Sequence, residues 1–466
     1  MTMAARSAVS GCSSALDRAL AAGGGHRPVA EFLGLVAPGE VRDAVRRCLP
    51  VGTDAELHLV RAKLKPGRKL TAEYGVVLSP GGLERRILVT WVASGLPAPG
   101  RHASSEAEAR RRGVLAPFRR SWATTGDGRM TVSVAPVDEA FPQLVRLHDP
   151  AHLHDLLARA FPAGPFGEVA TGDVTVETVR YRPGHRHVLR VGAGVDGSAV
   201  FAKVYRDDTG RRTVGAAARA AAAFAAAGGE AVVTPPGPGA YSPAERAALW
   251  PEVPGTPLSE VITLSGRGAV DVVQAAGSTL RVLHDAGSAD GSAEEPRSCP
   301  DAFGQAAETL RTAEVVDVLA PAVGARLRRT VGRVLESIAA LPVEAPTLVH
   351  GDFKCDNLVV SGSRVHLLDF DRCGRGDPAA DVGKFFADLR WWSAGDAAVR
   401  ARLHAAFLDG YGAVDPARAA RARAFDTLLQ LRIAARRVPI QDPGWEERAT
   451  RLVDAAVITL AEEPGP

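Results

Sequence analysis

Cysteine is scarce in this chain, lysine is almost as scarce, and long apolar runs are missing. The five cysteines, Cys12, Cys48, Cys299, Cys355 and Cys373, form an odd set with no C-x-x-C pair. That argues against a disulfide framework or a thiolate zinc site and suits a reducing cytoplasm. No apolar stretch approaches the ~20 residues a membrane span requires, so no membrane partner is expected. The Ala/Ser/Gly-rich first 26 residues lack the continuous apolar core of a signal peptide and read as a short helix or loose tail. Charge of one sign is also lacking: 56 Lys+Arg against 53 Asp+Glu leave a net +3, too little to point to nucleic acid.

What remains is a globular composition, 46% hydrophobic and 23% charged, over 466 residues, enough for two or three structural units. The charge is uneven. The first 250 residues carry 32 basic and 23 acidic groups; the rest carry 24 and 30. A basic front half favours a polyphosphate, and scattered surface arginine gives the same count. Only six basic residues are lysine: Lys63, Lys65, Lys69, Lys203, Lys354 and Lys384. Lysine is a compact point charge on a flexible stem and arginine a permanent planar fork. In a chain that uses arginine nearly everywhere, the retained lysines are the first places to inspect.

Gly/Pro punctuation between β-branched runs predicts strands at Glu56–Val60, Tyr74–Leu78 and Ile87–Val92, with turns at Lys65-Pro66-Gly67 and Pro80-Gly81-Gly82. A charged helix is predicted from Glu106 to Gly113. The pattern returns about 117 residues later, with strands at Val176–Tyr181, Val188–Val191 and Ala199–Tyr205 and turns at Arg182-Pro183-Gly184 and Asp196-Gly197. Thr90 falls where Lys203 stands. The two segments are either a degenerate internal duplication or two unrelated meanders. After the Ala-rich helical stretch Thr213–Ala227 and the run Pro235–Pro238, Leu249–Gly255 reads as a connector. Apolar spacing near 3.6 then predicts helices at 276–287, 301–314, 323–340, 381–394, 396–411, 416–437 and 446–462.

One β interruption, Thr347 to Asp371, carries the chemistry. It reads His350-Gly351-Asp352-Phe353-Lys354-Cys355-Asp356-Asn357, then Leu368-Asp369-Phe370-Asp371, with Gly376-Asp377-Pro378 and Asp381 beyond. Phosphoryl transfer needs cations on phosphate oxygens, oxygen ligands for Mg²⁺ and a carboxylate that orients the attacking hydroxyl. An Asp, an Asn five residues on and an Asp on the next hairpin supply that set.

In these motifs, over roughly residues 170 to 440, the chain resembles the aminoglycoside phosphotransferase and related kinase-like family. The resemblance implies an α+β, bilobal protein-kinase-like fold: an N-terminal accessory α+β domain (1–165, with a degenerate N-lobe repeat at 56–92), a β-rich N-lobe (166–250) and a helical catalytic C-lobe (251–466). It implies that Asp352 orients the substrate hydroxyl, Lys354 neutralises the moving phosphoryl group, and Asn357 and Asp369 ligate Mg²⁺. Asp371 is then an outer partner of the metal, Asp381 a brace for the loop, and His350 a structural residue. Lys203 would grip the phosphates of ATP or GTP, Arg186 would add charge from the turn above them, and the backbone at Glu252 and Val253 would meet the base. Kinases of this type pair the strand Lys with a Glu on the next helix, and Thr213–Ala227 contains no acid; Glu230 is the nearest.

The acceptor implied is a small-molecule hydroxyl, sugar-like, aminoglycoside-like or another natural product, with antibiotic inactivation as one purpose. Asp285, Asp388, Arg390, Trp391, Trp392, Arg432, Arg436 and Arg437 are candidates to line its pocket. The alternative is a nucleotide-binding pseudokinase that regulates a partner, favoured by the missing helix acid and opposed by the complete Asp352/Asn357/Asp369 set. A protein kinase is disfavoured, because no Ala-Pro-Glu-type segment follows Asp369 and Gly351 stands where protein kinases carry Arg.

Overall fold

The computed structural model describes residues 32–79, 83–92, 102–124, 128–162, 174–192, 197–227, 232–233, 239–265, 268–286, 298–362, 364–393, 396–442 and 444–461. The expected N-terminal helix or tail, the turn residues Pro80-Gly81-Gly82 and Asp196, the run Pro235–Pro238 and Glu230 lie outside the described residues.

The front of the chain forms a five-stranded antiparallel sheet from β1 (Asp54–Lys65), β2 (Lys69–Ser79), β3 (Leu83–Val92), β4 (Trp122–Thr124) and β5 (Met130–Val134), in the order β1-β2-β3-β5-β4. Helix α1 (Pro38–Arg46) precedes it and α2 (His102–Arg111) follows β3. On β2 every second side chain, Leu70, Ala72, Tyr74, Val76 and Leu78, is buried, as the two-residue period of a strand with one core face requires. The Tyr74 hydroxyl donates to Val36 O at 2.7 Å, so the one polar atom on that face is satisfied.

After α3 (Pro150–Ala160) a second sheet is built from β6 (Thr175–Arg182), β7 (Arg186–Gly192) and β8 (Ala199–Val204). The chain continues through α4 (Thr209–Ala226) and the short β9 (Val232–Val233) to β10 (Ala240–Ser242) and β11 (Ala247–Pro251). The second sheet runs β6-β7-β8-β11-β10, the same topological order as the first. The likeness extends to detail. Each leading hairpin turns through Pro-Gly, with Gly67 at φ 65° and Gly184 at φ 73°, and each closes it by a backbone bond, Arg68 N–H to Lys65 O and His185 N–H to Arg182 O. Each first strand carries an irregularity of register, between Leu59 and Arg61 and between Thr178 and Arg180. Counting from the turns, Thr71 pairs with Thr90 as Val188 pairs with Lys203, so Thr90 occupies the lysine's place in the ladder.

The remainder is helical: α5 (Leu258–Ser265), α6 (Val270–Ala286), α7 (Ala302–Leu319), α8 (Pro321–Ala339), α9 (Pro378–Trp392), α10 (Ala397–Tyr411), α11 (Pro416–Arg436) and α12 (Trp445–Ala461). Aspartates 301, 377, 396 and 415 cap α7, α9, α10 and α11 by accepting first-turn N–H groups, a contribution of about 1 kcal/mol each. Within this lobe lie β12 (Thr256–Pro257), β13 (Thr347–Val349), β14 (Leu358–Ser361), β15 (Arg364–Leu367) and β16 (Gly374–Gly376). Strands β12, β14 and β15 form one antiparallel ribbon, and β13 pairs with β16. Buried Phe353, Phe385 and Phe407 underlie the loop between β13 and β14, the rings of Phe385 and Phe407 stacking at 4.3 Å. That packing gives the loop a rigid floor.

Candidate active site

The loop that leaves β13 begins with a glycine for a definite steric reason. Gly351 has φ 73°, and a Cβ there would lie 2.4 Å from the Arg372 carbonyl oxygen. Both facts exclude a side chain, which explains why no arginine stands at this position. His350 is fully buried, its Nε2 3.0 Å from Leu368 O and its ring edge-on to Phe370. It joins the two strands that frame the site and has no exposure to a substrate.

The loop is held from beneath by one face of α9. Asp381 accepts the N–H groups of His350 (2.6 Å) and Gly351 (2.9 Å), and Asp388 accepts that of Cys355 (2.8 Å). Between them, Lys384 Nζ lies 3.0 Å from Asp352 Oδ1, and Lys354 Nζ lies 3.0 Å from Oδ2. Residues 381, 384 and 388 are spaced three and four apart, one helical stripe. Burial alone would raise the Asp352 pKa. The ammonium groups of Lys384 and then Lys354 outweigh it and hold the carboxyl well below the usual carboxylate range. Lys384 was not assigned a role from sequence; its signal was its rarity, one of six lysines, and its place on the Asp381 stripe. Asn357 donates its amide to Asp352 O at 2.9 Å, which ties the far end of the loop to Asp352 and leaves the side-chain oxygen as an acceptor.

Asp369 follows β15 in a left-handed backbone conformation (φ 65°, ψ 63°) that Asp tolerates better than most residues. Lys203 Nζ, on β8, contacts Asp369 Oδ1 at 2.6 Å and Asp371 Oδ2 at 2.7 Å. Burial would raise the Asp369 pKa, but Lys203 overturns this and the net direction is down. Asp371 also accepts from Arg186 and from the Tyr205 hydroxyl (2.6 Å), with Thr213 of α4 at 3.3 Å. The missing helix acid is thereby explained. The residues after the hairpin supply both carboxylates to Lys203, and α4 sends a hydroxyl to Asp371 instead. The turn Arg182–Arg186 is itself pinned from the front half of the chain: Asp138 accepts the Gly184 N–H and lies 2.8 Å from buried His187 Nε2.

Other candidates are placed differently. The Glu252 N–H bonds to Ala199 O at 2.8 Å and its carboxylate accepts from Arg190. Arg437 contacts Asp388 at 2.6 Å and lies over the rings of Trp391 and Trp392, Arg390 lies beside Asp426, and Asp285 pairs with Arg281 on its own helix. These groups support one another. Beside Gly351 and Lys384 lies a small hollow walled by Arg372, Gln305 and Arg432. Burial lowers the Arg432 pKa to about 10, and Glu308, 3.3 Å away, partly offsets that.

Among the described residues no group of three or more His, Cys, Asp and Glu side chains forms a metal cage. The oxygen-only pair of Asn357 and Asp369 nevertheless suits Mg²⁺, which takes one or two protein ligands and completes its shell from phosphates and water.

A lysine on a small β lobe, facing an Asp-Asn loop and a second Asp on a helical lobe, defines a protein-kinase-like phosphotransferase. The model of the phosphotransferase enzyme family (APH) matches residues 178–422, and the chain belongs to that family. Its members are small-molecule kinases. Among solved structures, an amicoumacin kinase in complex with AMP-PNP and Ca²⁺ is 15% identical, covering 62% of this chain and 89% of its own with a TM-score of 0.45. A choline/ethanolamine kinase family protein from Mesorhizobium loti is 19% identical (66% and 98% covered, TM-score 0.43). An aminoglycoside phosphotransferase from Streptomyces rimosus is 22% identical (60% and 98%, TM-score 0.38). No curated protein matches. No helix among the described residues is long and apolar enough to cross a membrane.

Proposed function

We propose that the chain is an ATP- or GTP-dependent O-phosphotransferase that places the terminal phosphoryl group on a hydroxyl of a sugar-like or other natural-product acceptor. The observation that carries this reading is the Asp352 carboxylate, held ionised between Lys354 and Lys384 and tied to Asn357. A carboxylate kept so far below its usual range is a weak proton acceptor in the ground state. Its first task is to accept the acceptor hydroxyl's hydrogen bond and aim its oxygen at phosphorus. The new P–O bond forms as the bond to the β-phosphate oxygen breaks, and Asp352 takes the proton late, when the hydroxyl has become acidic. Lys354 follows the negative charge on the moving group, while Lys203 and Arg186 exchange their aspartate partners for nucleotide phosphates. Asn357 and Asp369 would hold Mg²⁺, which when bound neutralises charge on the nucleotide phosphates. Residues 166–250 would serve as the nucleotide lobe and 251–466 as the catalytic lobe, in a cytoplasmic enzyme. Residues 1–165 would then be an accessory domain carrying a degenerate repeat of the nucleotide lobe at 56–92, with Thr90 in the place of its lysine. A screen of sugars and hydroxylated antibiotics for Mg²⁺- and acceptor-dependent release of ADP or GDP tests the reading. At least one acceptor should raise release well above the acceptor-free rate, and release that no acceptor stimulates counts against it.

A further inference from the structure

The second sheet closes its core with chain from the front half. Leu189, Val191 and Val204 of β7 and β8 share one buried cluster with Phe141 and Leu144, which follow β5, and with Leu157 of α3. Polar contacts take the same route. Gln143 Nε2 donates to Tyr205 O at 3.1 Å, His148 Nε2 lies 3.1 Å from Thr178 Oγ1, and buried Glu245 accepts from Arg146 at 3.0 Å. Residues 137–157 thus form a floor beneath the sheet that carries Lys203.

At the edge of that floor stands Asp138, only 6% exposed. Its Oδ2 accepts the Gly184 N–H at 2.8 Å and lies 2.8 Å from His187 Nε2, while Oδ1 accepts the Ala140 N–H at 3.0 Å. A buried carboxylate is costly unless it is hydrogen-bonded. Burial pushes the Asp138 pKa up, but His187, followed by the Gly184 and Ala140 N–H groups, reverses this and the net direction is down. His187 is fully buried and edge-on to Phe141, with ring centroids 4.7 Å apart.

One oxygen therefore anchors residues on both sides of Arg186. Side chains alternate along a strand. His187, Leu189 and Val191 face the buried floor, so Arg186, Val188 and Arg190 face the other way. Val188 is cross-strand from Lys203, which puts Arg186 on the lysine's side of the sheet. There the Arg186 guanidinium meets Asp371, which Lys203 Nζ also contacts at 2.7 Å. Holding His187 down fixes which face Arg186 takes, and holding Gly184, at φ 73°, fixes the turn that leads into it.

We propose that Asp138 is a positioning residue for nucleotide binding: through Gly184 and His187 it sets the turn so that Arg186 enters the cleft beside Lys203 and meets the nucleotide phosphates. The inference rests on the kinase reading, which puts Arg186 on those phosphates. It gives part of the front half a task, as a brace for the phosphate-facing turn.

Calorimetric titration of the full chain with Mg·AMP-PNP, or Mg·GMP-PNP if GTP is the donor, tests it beside titration with the nucleoside alone. Asp138→Ala should raise the Kd of the triphosphate analogue about tenfold, the scale of one charged hydrogen bond, and that of the nucleoside less than about twofold. Asp138→Asn, which keeps an acceptor oxygen for Gly184 and His187, should recover most of the loss. The double variant Asp138→Ala/Arg186→Gln should bind within about twofold of Arg186→Gln alone, because the two residues act in series. If Asp138→Ala does not fold, His187→Leu removes an anchor from the strand side and must show the same split. An unchanged triphosphate Kd, equal weakening of triphosphate and nucleoside, or additive losses in the double variant overturns the proposal. Hydrogen exchange without nucleotide gives a second readout: residues 184–187 should exchange about tenfold faster in Asp138→Ala, with the Lys65–Lys69 turn unchanged. Failure of the kinase reading shows separately, as wild-type protein that binds neither analogue, whereas unchanged protection at 184–187 overturns the anchor with the kinase reading intact.

Discussion

Asp352 gains its character from two lysines that sequence reasoning treated unequally. Lys354 is two residues away and visible in the motif, whereas Lys384 arrives from α9 and contributes the larger electrostatic share. Lys384→Met should therefore let the Asp352 pKa drift upward and loosen its aim. We expect turnover to fall by about tenfold, less than the ~100-fold lower end for losing a positioned general base, with nucleotide KM changed less than twofold; steady-state kinetics with both substrates varied reads the split. Gly351 makes a sterner demand. Gly351→Ala adds a Cβ against the Arg372 carbonyl in a left-handed backbone, and should lower stability by about 1–3 kcal/mol. A chemical-denaturation midpoint indistinguishable from wild type would contradict that.

Helix α9 is the element on which the site depends. Its stripe of Asp381, Lys384 and Asp388 meets the loop after β13 at His350, Gly351, Asp352 and Cys355. Asp381→Ala orphans the buried His350 N–H, at about 1–3 kcal/mol, and the half-buried Gly351 N–H, and the local opening of 349–357 should become easier. Hydrogen exchange in that segment should accelerate at least tenfold while exchange in the first sheet is unchanged. The stripe shows what sequence could and could not reveal. The spacing of Asp381, Lys384 and Asp388 was on the page as a helical repeat, but which face of α9 met the loop depends on packing against α11 and the phenylalanine floor. Likewise the motif named Asp369 and Asp371, while their shared service to Lys203 depends on two lobes meeting, which no local pattern encodes. Local chemistry was the more legible part: the Pro-Gly turns at Gly67 and Gly184 appear where expected and most of the later helices within about three residues of their expected bounds, while the helix expected at 276–287 starts at Val270 and the one expected at 301–314 runs on to Leu319. The bilobal α+β fold was legible for the same reason, through the order of β-rich and helical segments.

Over the whole molecule, long-range ion pairs fasten the helical lobe around the site. Glu308 of α7 pairs with Arg372 beyond the second Asp and with Arg432 of α11. Burial raises its pKa, but Arg372 and Arg432 reverse this and bring it to about 2. A carboxyl depressed on folding stabilises above its unfolded pKa of about 4.3, and that stability is lost as pH falls toward about 2. Glu308→Gln should therefore be less stable than wild type at neutral pH, with the gap closing between those two values. Thermal unfolding across pH 2 to 7 reads it, and a gap that stays constant over that window refutes the linkage. The same scale exposes the likeness of the two sheets. Equal strand order and matched Pro-Gly turns, with a register irregularity in each first strand, place Thr90 at the lysine's position. Composition hinted at this through the basic front half, but only the register shows which arginines share the lysine's face.

The most direct test follows the phosphorus itself. Single-turnover transfer of labelled γ-phosphate from ATP or GTP to an acceptor found in the screen should proceed with the wild-type chain and slow at least ~100-fold in Asp352→Asn, the lower end for a positioned base, with nucleotide still bound. Label that reaches the acceptor equally fast in both proteins would contradict the account.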